Sequence, residues 1–398
     1  NRRQTEVIMT IFSKKAGKNR MATSRRRLFH KPAPAEPVLP MPPLPLFANP
    51  WGSAASSSKL FSPSKRSHSK LPELAPPVPI AGSKPRKSRR RKQDDVNKIH
   101  SFDELLVALS NREPAITLGD DILVKHNILI DYDVTINLDG HNVVSERDLS
   151  MMRIFDVRHG EFTLTGEGNV FAMGPESVAL RAFGAISTGV PDYTVVTVDE
   201  HVHLYAPEGT GIYIASNLGA AYGLIIDFAG SITAHNGIYL ASGVRGRSSY
   251  RPAVYLRSGS EITVDENSGT AVDASGIGDW NLASTKLRGF LGIKAEFGRF
   301  TLSNSHIATG SVAILLNTDA GAGLSLTIDG GSFQSTDALT ILGKPTGISK
   351  FVVKSGDFCS EKGIINRELS KVAIFEGGDF YDNLVDFAAK DQKLTGEE

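Results

Sequence analysis

The sequence predicts an all-β chain wound into a parallel β-helix, and three observations carry that reading. Short apolar alternations close on the same ending: LSLTIDGGSF, FVVKSGDF and VAIFEGGDF each run into a Gly/Asp turn and then an aromatic. The closing aromatics Phe333, Phe358 and Phe380 lie 25 and 22 residues apart, and a near-constant period in the twenties marks a solenoid. Each unit alternates, is rich in β-branched residues and turns at glycine, so the repeating unit is strand and turn rather than helix.

Charge divides the chain near residue 100. Residues 1–100 hold 22 of the 44 Lys and Arg but only 5 of the 43 Asp and Glu, a net charge of +17; the remainder carries −16. Prolines follow the basic part, 14 of 20, and glycines the acidic part, 35 of 38. Residues 1–98 therefore read as a disordered basic arm, since so charged a segment has too little apolar surface to offset the entropy of ordering. Its stretch KPAPAEPVLPMPPLPLFANP favours polyproline II. Its densest run, Lys84 to Lys92 (KPRKSRRRK), reads as a solvated linker or as an electrostatic contact with an anionic polymer or surface. The lone Cys359 excludes an internal disulfide. No apolar run reaches about 18 residues, so no spanning helix is expected.

At Ser101 the pattern changes. Ser101-Phe102-Asp103-Glu104 matches a capping box, and Phe102, Leu105, Leu106 and Leu109 follow helical spacing. This predicts a capping helix over 99–112, ending near Asn111 ahead of Pro114 and placed to cover the open end of a solenoid. The β-helix then runs over 113–387, with inward aliphatics such as Ile136, Leu326 and Val353, and 388–398 form a flexible tail. GIYIAS and GIYLAS stand 26 residues apart, as do Val312, Ala338 and Ile364. Between these blocks the step grows to 33 and then 41 residues, which predicts long loops at 241–252 and 275–290.

The opening FDELLVALSNREPAITLGDDILVKHNILIDYDVTINLDGHNVVS, and Asp133 to Asn142 (DVTINLDGHN) most of all, resembles that of right-handed parallel β-helix proteins of the pectin-lyase-like superfamily. The resemblance spans roughly residues 100–387. It implies a right-handed coil. It leaves function open, because such folds serve as polysaccharide lyases, glycoside hydrolases, surface adhesins and phage tailspikes.

The search for chemistry gives one main candidate. In GIYIAS, GIYLAS and AVYLRSG, Tyr213, Tyr239 and Tyr255 alternate with aliphatics, so the tyrosines face outward. Tyr213 and Tyr239 are one period apart and should stack on adjacent coils. With Arg251, Arg257 and Trp280 nearby, they make a surface suited to the apolar faces and hydroxyls of a glycan. The expected function is a non-catalytic surface or adhesion module that binds polysaccharide, extracellular or at the cell surface, with no cofactor. The alternatives are a polysaccharide lyase or glycoside hydrolase, and a phage tail or virion component. A lyase would need calcium, which takes six to eight oxygens; Asp265, Glu266, Asp273 and Asp279 are the carboxylates available, with Arg245, Arg247, Arg251, Arg257, Lys286 and Arg288 as bases. Asn317-Thr318-Asp319 matches the first motif of polygalacturonase-type hydrolases, but the other motifs of that set do not follow it. His201 and His203 read as surface histidines, since zinc would need further ligands.

Overall fold

A computed structural model of the chain describes residues 98–184, 193–215, 221–241, 251–319, 322–360 and 362–381. Over these residues 26 strands join in one continuous parallel sheet, which is the architecture of a parallel β-helix. The expectations for the arm and the tail fall outside the described residues, apart from Lys98 at the arm's boundary. Among the described residues no helix is long and apolar enough to cross a membrane.

The pairings sort the strands into three faces. The first face includes Gly160–Thr165, Thr194–Val198, Leu224–Phe228, Ala253–Leu256 and Asp279–Ala283, each paired with the next. The second includes Gly168–Phe171, the start of Val202–Ala215, the start of Ser231–Leu240, Glu261–Val264 and Lys286–Gly289. The third includes Arg153–Val157, Val178–Phe183, the ends of the same two long strands, Thr270–Ala274 and Leu291–Ala295. The two long strands bend from the second face onto the third, with a register shift between Ala206 and Thr210 in the first of them.

Alternation places one side chain in two on the axis, and register stacks like on like. On the first face Leu256, Leu282, Leu302, Ile328 and Val353 pair in succession, and all are buried. Ile136 and Leu326 are buried as expected. The closing aromatics also stack in register, with Phe333 and Phe358 buried and Phe380 exposed. Phe333 pairs with Phe358 and Phe358 with Phe380, with ring centroids 4.9 and 5.3 Å apart.

Two expectations of spacing fail. Residues 275–290 are not a loop, because they contain the strands Asp279–Ala283 and Lys286–Gly289. Val272 pairs with Ile293, and Ile293 with Ile314, so the long step conceals an additional short coil. Its corner at Gly289 has φ +147°, and a Cβ there would come within 2.2 Å of Val264 Cγ2. Only glycine fits so tight a turn. Farther on, Ile314 pairs with Ile341 and Ile341 bridges to Ile365, so the steps there are unequal rather than 26 each. Most of the other predicted loop, residues 242–250, lies outside the described residues.

The capping helix is Phe102–Ser110, with Asn111 as its C-cap. Phe102, Leu105, Ala108 and Leu109 are buried, and Phe102 meets His126 of the first coil edge-on at 4.9 Å. Ser101 Oγ accepts the Glu104 N–H at 3.2 Å. The Glu104 carboxylate accepts from His100 N at 2.7 Å rather than from Ser101 N, so the capping box closes one residue early. Ser101→Ala should cost about 1 kcal/mol, measurable as a lowered urea midpoint with unchanged slope.

Candidate functional site

The third face carries an outward row in which chemistry concentrates. Asp156, Arg181, Tyr213, Tyr239, Asp273 and Lys294 pair in succession across adjacent coils. Strand spacing of about 4.8 Å makes this row roughly 24 Å long. At its centre the Tyr213 and Tyr239 rings stack, with centroids 5.3 Å apart and an interplanar angle of 22°. Both are partly buried against the core. The aliphatics on either side of each tyrosine, Ile212 and Ile214, Ile238 and Leu240, are buried, which fixes the rings outward.

On one side of the tyrosines three guanidinium groups gather around one carboxylate. Asp156 is only 3% exposed. It accepts from Arg181 Nε at 2.8 Å and Nη2 at 2.7 Å, and from Arg158 Nε at 3.0 Å and Nη2 at 2.8 Å. Burial by itself would raise its carboxyl, but the hydrogen bonds and charges of the two arginines outweigh burial and hold it below the usual carboxylate range. The Phe183 ring packs under both guanidinium groups, 4.3 Å from Arg158 Cζ and 5.0 Å from Arg181 Cζ. Arg153 is the third cation. Burial and then the neighbouring Arg181 depress its pKa, which reports crowding of like charge. Arg153, Arg158 and Arg181 outnumber Asp156 and the nearby Glu176, which leaves this end of the row positive.

On the other side the balance reverses. Lys294 Nζ lies 3.2 Å from Asp273 Oδ2, 3.2 Å from Glu296 Oε1 and 3.0 Å from Ser275 Oγ. Burial would lower the Lys294 ammonium, but Asp273 and Glu296 outweigh it and raise it. Ser275 Oγ donates to Asp273 Oδ1 at 2.6 Å and approaches Glu296 Oε1 at 3.2 Å. Asn317 Nδ2 completes the group, 3.5 Å from Glu296 Oε1. The row thus runs from a cationic end, across an aromatic step, to an anionic end.

The residues chosen from sequence divide between faces. Tyr213 and Tyr239 share the third face. Tyr255 stands on the first, paired with Asp227 and Asn281, so the three tyrosines do not form one ladder. Arg257 is on the first face too, clamped to Asp227 through Nε at 2.5 Å and Nη2 at 2.7 Å. Arg251 lies 3.7 Å from Asp279. Trp280 does not present its ring to solvent. It is 2% exposed and stacks on Phe300 in the core, because it shares the inward parity of Leu282.

The lyase carboxylates do not converge either. Asp265 caps its own turn, accepting from Asn267 N, Ser268 N and Ser268 Oγ. Asp279 pairs with Arg299 on the first face, and Asp273 with Lys294 on the third. Among the described residues no group of three His, Cys, Asp or Glu side chains could hold a metal ion. Arg245 and Arg247 lie outside the described residues. His203 is bonded to Ser231 Oγ at 2.7 Å on the second face, and burial lowers its pKa. No family model, no curated protein and no solved structure matches the chain.

Proposed function

We propose that the body is a non-catalytic β-helix module of the pectin-lyase-like kind that binds an extended polysaccharide along its third face, at a cell surface or outside the cell. The observation that carries this is the stacked Tyr213–Tyr239 pair, centred in a row whose flanks are charged. Tyrosine rings offer an apolar face to sugar C–H groups and a hydroxyl to their oxygens. Arg158 and Arg181 beside them would add charge-assisted hydrogen bonds to a bound chain. The same charges argue against catalysis, since the carboxylates of the row are held in ion pairs, Asp156 by two arginines and Asp273 and Glu296 by Lys294.

One observation favours hydrolysis as a second reading. Asp273 and Glu296 both reach Ser275 Oγ and Lys294 Nζ, so two carboxylates stand side by side, the pair that glycoside hydrolysis uses. A polysaccharide array with the parent and with Tyr213→Ala/Tyr239→Ala separates the readings. Binding should weaken about 30-fold or more in the double variant, as for the loss of a central aromatic anchor, with no release of reducing ends or unsaturated products. Equal binding by both proteins would remove the tyrosines from the account. Product release that stops in Asp273→Asn or Glu296→Gln would establish the hydrolase.

A further inference from the structure

We propose that the first face carries a second and separate sugar niche, which takes a single pyranose unit between Tyr255, Asp279, Asn281, Arg299 and Thr301. These residues line a surface concavity of about 220 Å³. Register builds it. Tyr255, Asn281 and Thr301 follow one another in an outward row, and Asp279 and Arg299 are neighbours two positions earlier on the same strands. The volume falls below the roughly 300–1,000 Å³ of larger ligand sites, so one sugar ring is the matching occupant rather than a chain lying flat.

The walls of the niche are held in place before any ligand arrives. Arg257 Cζ sits 5.3 Å from the Tyr255 ring centroid and is itself clamped to Asp227, which fixes the ring. Asp279 is gripped by Arg299 through Nε at 3.0 Å and Nη2 at 2.6 Å, and Arg251 stands 3.7 Å away. Asn281 and Thr301 are exposed, and neither side chain has a hydrogen-bond partner among the described residues.

The chemistry selects a polyol. Asp279 accepts, Arg299 donates, and the Asn281 amide and the Thr301 hydroxyl do both. A sugar hydroxyl also donates and accepts, so neighbouring hydroxyls can each find a complement here, while the Tyr255 ring receives the C–H face. Two arginines, Arg299 and Arg251, stand against the single Asp279, so the niche carries one cation in excess. A uronate carboxylate could be met by Arg251, so acidic and neutral sugars are both admitted. This niche does not depend on the third face.

Saturation-transfer NMR tests it with the methyl glycosides of glucose, galactose, mannose, xylose and glucuronic acid. At least one of these glycosides should bind the parent and Tyr213→Ala/Tyr239→Ala equally. It should bind Tyr255→Ala and Asn281→Ala about tenfold more weakly. The proposal is overturned if the parent binds none of the glycosides, or if Tyr255→Ala and Asn281→Ala both match the parent. Should Tyr255→Ala fail to fold, Asn281→Ala carries the same test on an exposed side chain. Polysaccharide binding that is lost in Tyr213→Ala/Tyr239→Ala but kept in Asn281→Ala belongs to the third face alone, so the two readings fail separately.

Discussion

Asp156→Ala should destabilise the folded body by about 3 kcal/mol, the lower end of the range for breaking a buried ion pair. The cost arises less from the lost attraction than from what remains. Arg181, with only 17% of its side chain exposed, loses both of its hydrogen-bond acceptors on Asp156 and faces Arg153 and Arg158 uncompensated. Arg158, at 46%, recovers part of its hydration and moderates the loss. Asp156→Asn keeps the shape but not the charge and should fall between parent and Ala. The pH dependence follows from the depressed carboxyl of Asp156. Its stabilisation is fully present above the unfolded carboxylate value of about 4 and is lost as pH falls through the lower folded value. Urea unfolding at neutral pH and at several acid values should show the gap between parent and Asp156→Asn closing only in acid. Burial of the carboxylate should keep that gap open in about 1 M salt. A constant gap across the acid range, or one abolished by salt, would show that Asp156 is not a buried charge.

How far the site could be read from the residues depended on register. The alternation in GIYIAS and GIYLAS was enough to place Tyr213 and Tyr239 outward and together, because their coils differ by one unbroken period of 26 residues. Tyr255 comes only 16 residues after Tyr239, less than any coil, and that interval alone could have moved it to another face. Trp280 in DWNLA alternates in phase with Leu282, so strand parity pointed it inward once residues 279–283 were read as strand instead of loop. The charged partners of the row had no such signal. Asp156 and Arg181 are 25 residues apart, and Asp273 and Lys294 are 21. Corner lengths that vary from coil to coil decide which residues become neighbours, and no fixed period recovers them. The capping helix was legible because its signals are local: a hydroxyl at Ser101, an apolar stripe and a proline beyond its end.

Leu282→Asp should prevent the body from folding to a stable state, whereas Asn281→Asp, one residue earlier, should leave its melting temperature nearly unchanged. Leu282 is fully buried between Leu256 and Leu302 in the inward row, stacked on aliphatic side chains. An aspartate there must ionise without compensation or remain protonated against aliphatic neighbours, and either state costs several kcal/mol. A solenoid makes that cost hard to confine. Each coil is stabilised by the coils on either side, so a defect in the middle separates two stacks that each acquire a new uncovered end. Asn281 points to solvent, and an acid at that position keeps its hydration. Circular dichroism and limited proteolysis of the two variants, side by side, measure the contrast. Leu282→Asp melting like the parent, or the two variants losing stability equally, would mean that the strand Asp279–Ala283 has the opposite phase, since a one-residue slip exchanges its inward and outward sets.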